Sequence, residues 1–296
     1  MELTNEVKSK IIEGIKADRP NYKSNAKHAI ALGISTPVYS SLMKGKTDKQ
    51  LSEASWYSVA RRLGVNLRPD QEWHAVVTAT YEYITNQLLI CQEQSVAGII
   101  CDIPNIGKTF TAKLYAKTHP HVAYIDCSQC KTKRHFIKTI AREIGISTNG
   151  TYQDMYTALV EAIKVLDNPL VILDEAGDLQ NEAFVELKAL FNATEHACGW
   201  FLLGADGLKA RIKRSIEFQK IGWAEILSRY GTKSNRITPE NEKDRIAFEL
   251  EQAMQVASVN APEWVDYKQL ARKAGGLRRV YTEIMKERRH GRPESN

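Results

Sequence analysis

The chain has no run of about 18 apolar residues that could cross a membrane, and its first residues lack the pattern of a secretory signal. A cytoplasmic protein is therefore expected. Cysteine is scarce too. The five residues Cys91, Cys101, Cys127, Cys130 and Cys198 show no framework spacing, so free thiols are expected rather than a disulfide scaffold. Cys127-Ser-Gln-Cys130 is a lone CxxC without a second pair, which reads better as buried strand-end thiols than as zinc or redox chemistry. No acidic excess exists either: the net charge is +6, which permits a polyanionic partner without demanding one. The charge is unevenly spread. Residues 1–66 carry eleven Lys/Arg against six Asp/Glu, and residues 268–292 carry nine against two, so any nucleic-acid contact should draw on both ends. With 43% hydrophobic residues, 296 residues suffice for an ordinary core and two or three domains.

What is present centres on residues 96–109. A short apolar run, Val96-Ala97-Gly98-Ile99-Ile100-Cys101, leads through Asp102-Ile103-Pro104-Asn105-Ile106 into Gly107-Lys108-Thr109 and a helix. Strand, loop and helix in this order are what a phosphate-binding loop requires. The backbone from Asp102 through Phe110 can face a polyphosphate, helped by the positive end of the helix dipole. Lys108 would sit by the β and γ phosphates of ATP, and Thr109 would ligate Mg²⁺. The first position of the motif holds Asp102 instead of glycine. Asp and Asn tolerate positive φ, so the geometry survives, but a carboxylate beside a triphosphate is unfavourable unless it points away.

Pro169–Ala176 is a second apolar run, ending in Asp174-Glu175. It reads as a buried parallel strand reaching an active-site edge, with Asp174 holding Mg²⁺ or its water and Glu175 polarising the attacking water as general base. The two motifs stand in the right order, about 65 residues apart, and together specify nucleotide binding. Around them strands at 96–101, 121–127, 169–174 and 199–204 alternate with helices at 108–118, 132–144, 151–166 and 180–194. This alternation predicts a parallel sheet with helices on both faces and a ligand beyond the carboxyl ends of the strands. Ahead of it, a long helix from Trp73 to about Gln92 is expected, with Tyr81 and Tyr83 better read as core than as adenine-stacking residues.

Residues 1–66 read as an all-helical unit. Leu3, Val7, Ile11, Ile12 and Ile15 recur at helical spacing. Residues 24–45 look like a helix-turn-helix, with Gly33 at the turn and Ser35 or Thr36 capping a second helix that has Pro37 in its first turn. Ala29, Leu32, Val38, Leu42 and Met43 are expected inward. Thr36, Tyr39, Ser40 and Lys44 would then point outward, where a recognition helix meets a groove. A helical protein-docking module is the alternative. Few base-reading side chains are offered, so weak or sequence-indifferent DNA contact is favoured over operator recognition. Asn66–Gln71 reads as a linker.

Two further basic clusters, Lys131-Thr132-Lys133-Arg134 and Lys209 to Arg214 with Lys213 and Arg214, can contact a phosphodiester backbone or form a solvated face. After strand 199–204 a polar sensor residue is Asp206, or is missing with Ala205 in its place. Past Pro239 the chain is helical again at 240–258, 263–274 and 277–289, and the tail 286–296 is charged and expected to fray.

From about residue 73 to 290 these features resemble an AAA+ ATPase. Arg229, in Ala224–Tyr230, resembles the finger that reaches a neighbouring subunit's γ-phosphate, a cis salt bridge being the alternative, and arginine's planar fork suits that task. Gly275-Gly276-Leu277-Arg278-Arg279 resembles the lid motif whose arginine, here Arg278, bends back to the nucleotide. With a repressor-like helical domain in front, the chain is similar to the MuB/TnsC/IstB group of transposition target-DNA-binding ATPases. The resemblance implies a helix-turn-helix domain over 1–66, a nucleotide-binding α/β domain over 67–238, and a helical lid with basic tail over 239–296. It also implies an ATP-dependent filament or ring that assembles on double-stranded DNA of any sequence, hydrolyses ATP slowly, and delivers the DNA to a transposase. Two other readings stay open: a replication-type ATPase that loads a helicase or marks an origin, and a DNA-binding regulator with a nucleotide switch.

Overall fold

The computed structural model describes residues 3–22, 24–65, 73–220, 222–230 and 235–291. The linker expected over Asn66–Gln71 and the last residues of the tail lie outside them. The chain divides into two compact units, Met1–Trp73 and His74–Asn296.

The smaller unit is four helices, α1 (Asn5–Asp18), α2 (Asn25–Leu32), α3 (Thr36–Met43) and α4 (Glu53–Arg62). Each start has a local cause. The side chains of Thr4, Ser24 and Ser52 accept from the backbone N–H groups of Val7, Lys27 and Ser55, and Pro37 occupies the first turn of α3. Gly33 ends α2 at φ +71°, a left-handed turn that a side chain would resist. Ile11, Ile12, Ile15, Ala29, Leu32, Leu42 and Trp56 form the core, with Val38 and Met43 packed against it. Tyr39 joins them, which corrects its expected place on the outer face. It is fully buried, and its hydroxyl meets His28 Nδ1 at 3.0 Å. The reason is spacing: Tyr39 stands three residues before Leu42 and four before Met43, on the same helical stripe. His28 is itself buried, stacked on Tyr22, with Nε2 3.1 Å from Asp18 Oδ2.

The larger unit begins with α5 (Ala79–Gln94), then alternates β1 (Ala97–Cys101), α6 (Lys108–Thr118), β2 (Val122–Asp126), α7 (Lys133–Glu143), α8 (Tyr152–Val165), β3 (Leu170–Asp174), α9 (Asn181–Ala193) and β4 (Gly199–Gly204). Helices α10 (Asp206–Glu217) and α11 (Trp223–Tyr230) follow. The helices α12 (Glu242–Asn260), α13 (Tyr267–Ala274) and α14 (Leu277–His290) close the unit. The long helix starts later than expected, because the Thr78 side chain caps it through Tyr81 N; Val76 and Val77 belong to the preceding irregular segment. At the other end α14 stays helical to His290, past the point where fraying was expected.

All four strands are parallel, in the order β1-β4-β3-β2. Beside β1, Asn235 adds a single parallel bridge to Ile100. The period of two along β3 separates two cores. Val171 and Leu173 pack with Phe136, Leu159, Phe184 and Trp200 on one face; Leu170 and Ile172 pack with Ile84, Leu88, Tyr115 and Phe201 on the other. Tyr83 is packed against this second core, as expected of a structural tyrosine. α5 lies so close to β4 that a side chain at Gly199 would come within 2.3 Å of Cys91 O. All five cysteines are buried and free, Cys127 and Cys130 among them. Among the described residues no helix is long and apolar enough to cross a membrane.

Candidate nucleotide-binding site

The site gathers at the carboxyl ends of β1, β3 and β4. β1 ends at Cys101, and the loop that follows bends with φ +67° at Asn105 and +104° at Gly107 before α6 begins at Lys108. Left-handed steps of this kind turn successive N–H groups toward one concavity. The N–H groups of Gly107, Lys108, Thr109 and Phe110 meet no protein acceptor among the described residues, as at any uncapped helix start, and here a cation joins them. Lys108 Nζ donates to the carbonyls of Asp102 and Ile103 at 2.7 and 2.6 Å, so the loop itself holds the ammonium. Burial lowers the Lys108 pKa, and the carboxylates of Asp102, Glu175 and Asp174 oppose that shift. Ile106 turns its side chain inward, leaving only backbone for a ligand, whereas Phe110 is exposed.

Asp102 does not face this concavity, which corrects its expected place in the nucleotide contact. Its side chain is fully buried. Oδ2 accepts from the backbone N–H groups of Ile237 and Thr238 at 2.6 and 2.9 Å, and Oδ1 accepts from Ile103 N and the Thr238 hydroxyl. Arg236 Nε stands 3.6 Å from Oδ1. The backbone N–H of Asp102 is committed to Gly204 O. Residue 102 thus ties the phosphate loop to the segment entering α12, and the unfavourable meeting of a carboxylate with phosphate does not arise.

Asp174 ends β3 almost wholly buried. Its Oδ2 accepts from the Tyr124 hydroxyl at 2.7 Å and its Oδ1 from Glu175 N at 3.0 Å. Tyr124 pairs with Ile172 in the register, so Asp174 is its diagonal neighbour two residues on. Burial and the Asp174 carboxylate raise the Tyr124 pKa, which keeps the phenol a neutral donor. The sequence reading missed Tyr124; a tyrosine two residues before the end of the adjacent strand was the available signal. Glu175 is exposed at φ +50°. Its pKa is raised, first by desolvation and then by Asp174, with Lys108 opposing. A carboxylate tuned upward at a strand end suits a general base. Among the described residues no cluster of His, Cys, Asp or Glu could hold a metal alone, so Thr109 and Asp174 would share Mg²⁺ with phosphate oxygens.

A cavity of about 600 Å³ adjoins the loop, lined by Ile103 to Ile106, Asp206, Arg236, Arg245, Glu249 and the Gly275–Leu277 turn among others. Asp206 therefore stands at the site, with Ala205 just before α10. Arg278 is exposed and does not line this cavity; Arg236 and Arg245, which the sequence reading overlooked, do.

Residues 92–212 match the family described as AAA domain. The chain carries an AAA domain and is similar to MuB-type transposition proteins. One relative is the Mu-like prophage FluMu DNA transposition protein B of Haemophilus influenzae, 28% identical over 142 residues, 48% of this chain. The match spans about half of that relative (49%). The ATP-dependent target DNA activator B of Escherichia phage D108 is 24% identical over 257 residues, 84% of this chain and 78% of that one. Among solved structures, the Aeropyrum pernix ORC1 protein in complex with DNA superposes with a TM-score of 0.53 at 14% identity, covering 76% of this chain and 64% of that one, a likeness of fold.

The remaining expected residues do not line the cavity beside the phosphate loop. Arg229 stacks 5.1 Å over Phe191, its Nη1 buried without a hydrogen-bond partner among the described residues. Lys131 pairs with Asp178 and Lys133 with Glu186, each at 2.8 Å, while Arg134 is exposed. On α10, Lys213 and Arg214 are exposed, Lys213 loosely paired with Glu217. Arg211 is not part of that outer face. It donates to Gly177 O and Leu179 O, just after Glu175, and its guanidinium covers Phe184 and Trp223. In the smaller unit Thr36 and Lys44 are exposed on and beside α3.

Proposed function

We propose that this protein is an ATP-dependent ATPase that binds double-stranded DNA largely without regard to sequence, oligomerises on it, and delivers it as target to a transposase. The observation that carries the reading is the meeting, at one sheet edge, of a cation-bearing phosphate loop with an oriented Asp174 and an upward-tuned Glu175. The residues present fit Mg·ATP, which when bound supplies the phosphoanhydride and the cation. Lys108 and the N–H groups of Gly107 to Phe110 hold phosphate, Thr109 and Asp174 hold Mg²⁺, and Glu175 takes the proton of the attacking water. The names of the phage D108 and Haemophilus relatives support the transposition role.

Arg229 is the arginine we assign to a neighbouring protomer's site; its Nη1 has no hydrogen-bond partner among the described residues, and the side chain would leave Phe191 to reach a phosphate. Lys213, Arg214 and Arg134, with Lys131 and Lys133 exchanging carboxylates for phosphates, supply weak backbone contacts that repetition along a filament or ring multiplies. Thr36 and Lys44 add contacts from the helix-turn-helix unit, and Tyr39 adds none. Electron microscopy with random-sequence duplex tests the proposal. ATP-dependent assemblies on DNA of any sequence are expected, and a monomer on DNA at saturating Mg·ATP overturns it.

A further inference from the structure

Glu175 is placed by its backbone alone. Its side chain makes no hydrogen bond or ion pair among the described residues. At φ +50° it opens the short turn Ala176–Asp178, where Asp178 N donates to Glu175 O at 2.9 Å. Whatever holds residues 176–180 therefore holds the carboxylate. Two elements hold them, and both carry cations assigned above to DNA. From the loop after β2, Lys131 Nζ pairs with Asp178 Oδ2 at 2.8 Å, and Lys131 O accepts from Gln180 N at 2.9 Å. From α10, Arg211 donates to Gly177 O and Leu179 O, just ahead of the exposed Lys213 and Arg214.

The two grips differ in firmness. Arg211 is half-buried, with Phe184 and Trp223 against its guanidinium at 4.9 and 5.2 Å. The side chains of Lys131 and Asp178 are 51% and 43% exposed, and an exposed ion pair stabilises a fold very little. A duplex phosphate can take Lys131 from Asp178 at small cost. Asp178 then still has a cation nearby: burial lowers the Arg211 pKa, and the Asp178 charge opposes that shift. Lys133 is placed differently. Its partner Glu186 is only 12% exposed, accepts from the Tyr152 hydroxyl as well, and belongs to α9 instead of the turn.

We propose that the turn 176–180 reports duplex contact to the hydrolytic site, and that it does so when a DNA phosphate draws Lys131 away from Asp178. The proposal rests on the ATPase and DNA-binding reading above. While the ion pair is intact, the turn is fixed from both sides. Once Lys131 is taken, Arg211 alone fixes it, and Glu175 gains the freedom to approach the attacking water. Hydrolysis is then faster on DNA than off it.

Two quantities on the full chain test this: hydrolysis with and without saturating random-sequence duplex, and duplex affinity across salt concentrations with a slowly hydrolysed ATP analogue, by fluorescence anisotropy. Wild type should turn over about fivefold faster or more with duplex. Asp178→Asn should lose that response, its two rates agreeing within about 1.5-fold, while binding duplex as tightly as wild type or up to about fivefold tighter, because Lys131 has lost its competitor. Lys131→Ala should lose the response too, with a salt slope shallower by about 0.9. Lys133→Ala should show the same fall in slope and keep the response. A wild-type response in Asp178→Asn or Lys131→Ala overturns the proposal, as does its loss in Lys133→Ala. So does an Asp178→Asn variant that binds duplex more weakly or hydrolyses ATP under neither condition, and so does a wild type whose rate ignores bound duplex. A wild type that binds no duplex, or hydrolyses no ATP, overturns the underlying reading instead.

Discussion

Replacing Asp102 with glycine would give this phosphate loop the residue its motif usually carries, and the structure predicts harm from that change. The backbone at 102 has no positive φ, so glycine brings no conformational relief there. What it removes is the acceptor for Ile237 N, Thr238 N and the Thr238 hydroxyl, in a place where Thr238 is only 3% exposed. Each buried donor left unpaired costs about 1–3 kcal/mol, and water entering the space recovers part of it. A net loss of about 4 kcal/mol follows, including roughly 0.5–1 kcal/mol for the added freedom of glycine. For a unit of this size the melting temperature falls about 2–4 °C per kcal/mol, so a drop of about 8–16 °C is expected. Scanning calorimetry can follow the transition of the larger unit apart from that of the helical one. Asp102→Asn should be nearly as harmful, because its amide offers one acceptor where two are used and turns a donor toward donors. Nucleotide affinity should not improve in either variant. A glycine variant that melts with wild type and binds ATP more tightly would refute the role assigned to Asp102.

Three further outcomes follow. Glu175→Gln should abolish hydrolysis while preserving nucleotide binding; in wild type the raised pKa means that activity is present above it and lost as pH falls through it, so the acid limb of kcat should lie above the ordinary glutamate range. A limb at the ordinary value would count against Glu175 as the base. Arg211→Met should lower kcat several-fold with little change in KM and destabilise the unit by about 1–3 kcal/mol, and Arg211→Lys should fail to rescue, because the contacts to Gly177 O and Leu179 O need the fork. Lys213→Ala with Arg214→Ala should reduce the slope of log K against log salt for duplex binding by about 1.8 if both meet phosphate, equally for all sequences; an unchanged slope removes α10 from the DNA surface.

The parallel sheet and its carboxylate-bearing edge were legible in the sequence because they depend on local runs: four apolar strands, a Gly-Lys-Thr helix start and Asp174-Glu175. Element ends failed where a single side chain decided them, as with Thr78 capping α5. The site was legible at Lys108, Asp174 and Glu175 but not at Arg236, Arg245 or Tyr124. Those residues reach it from 128 and 137 positions past Lys108, or across a strand pair, and no motif marks such distances. Asp102 shows the converse. Its position in the loop suggested a contact with nucleotide, while its partners lie at 236–238. Tyr39 was misplaced for a different reason: a polar-tipped aromatic was counted as a surface residue although its spacing put it among Leu42 and Met43.

The five sheltered thiols make one practical point. Burial pushes Cys91 up to about 12 and Cys101 to about 11, and Cys130, whose pKa a hydrogen bond with Cys127 lowers, is itself fully buried, so maleimide reagents should pass over the native protein. A fluorophore could then be placed on a single engineered surface cysteine without first stripping the natural ones, and self-association tested by energy transfer between labelled chains.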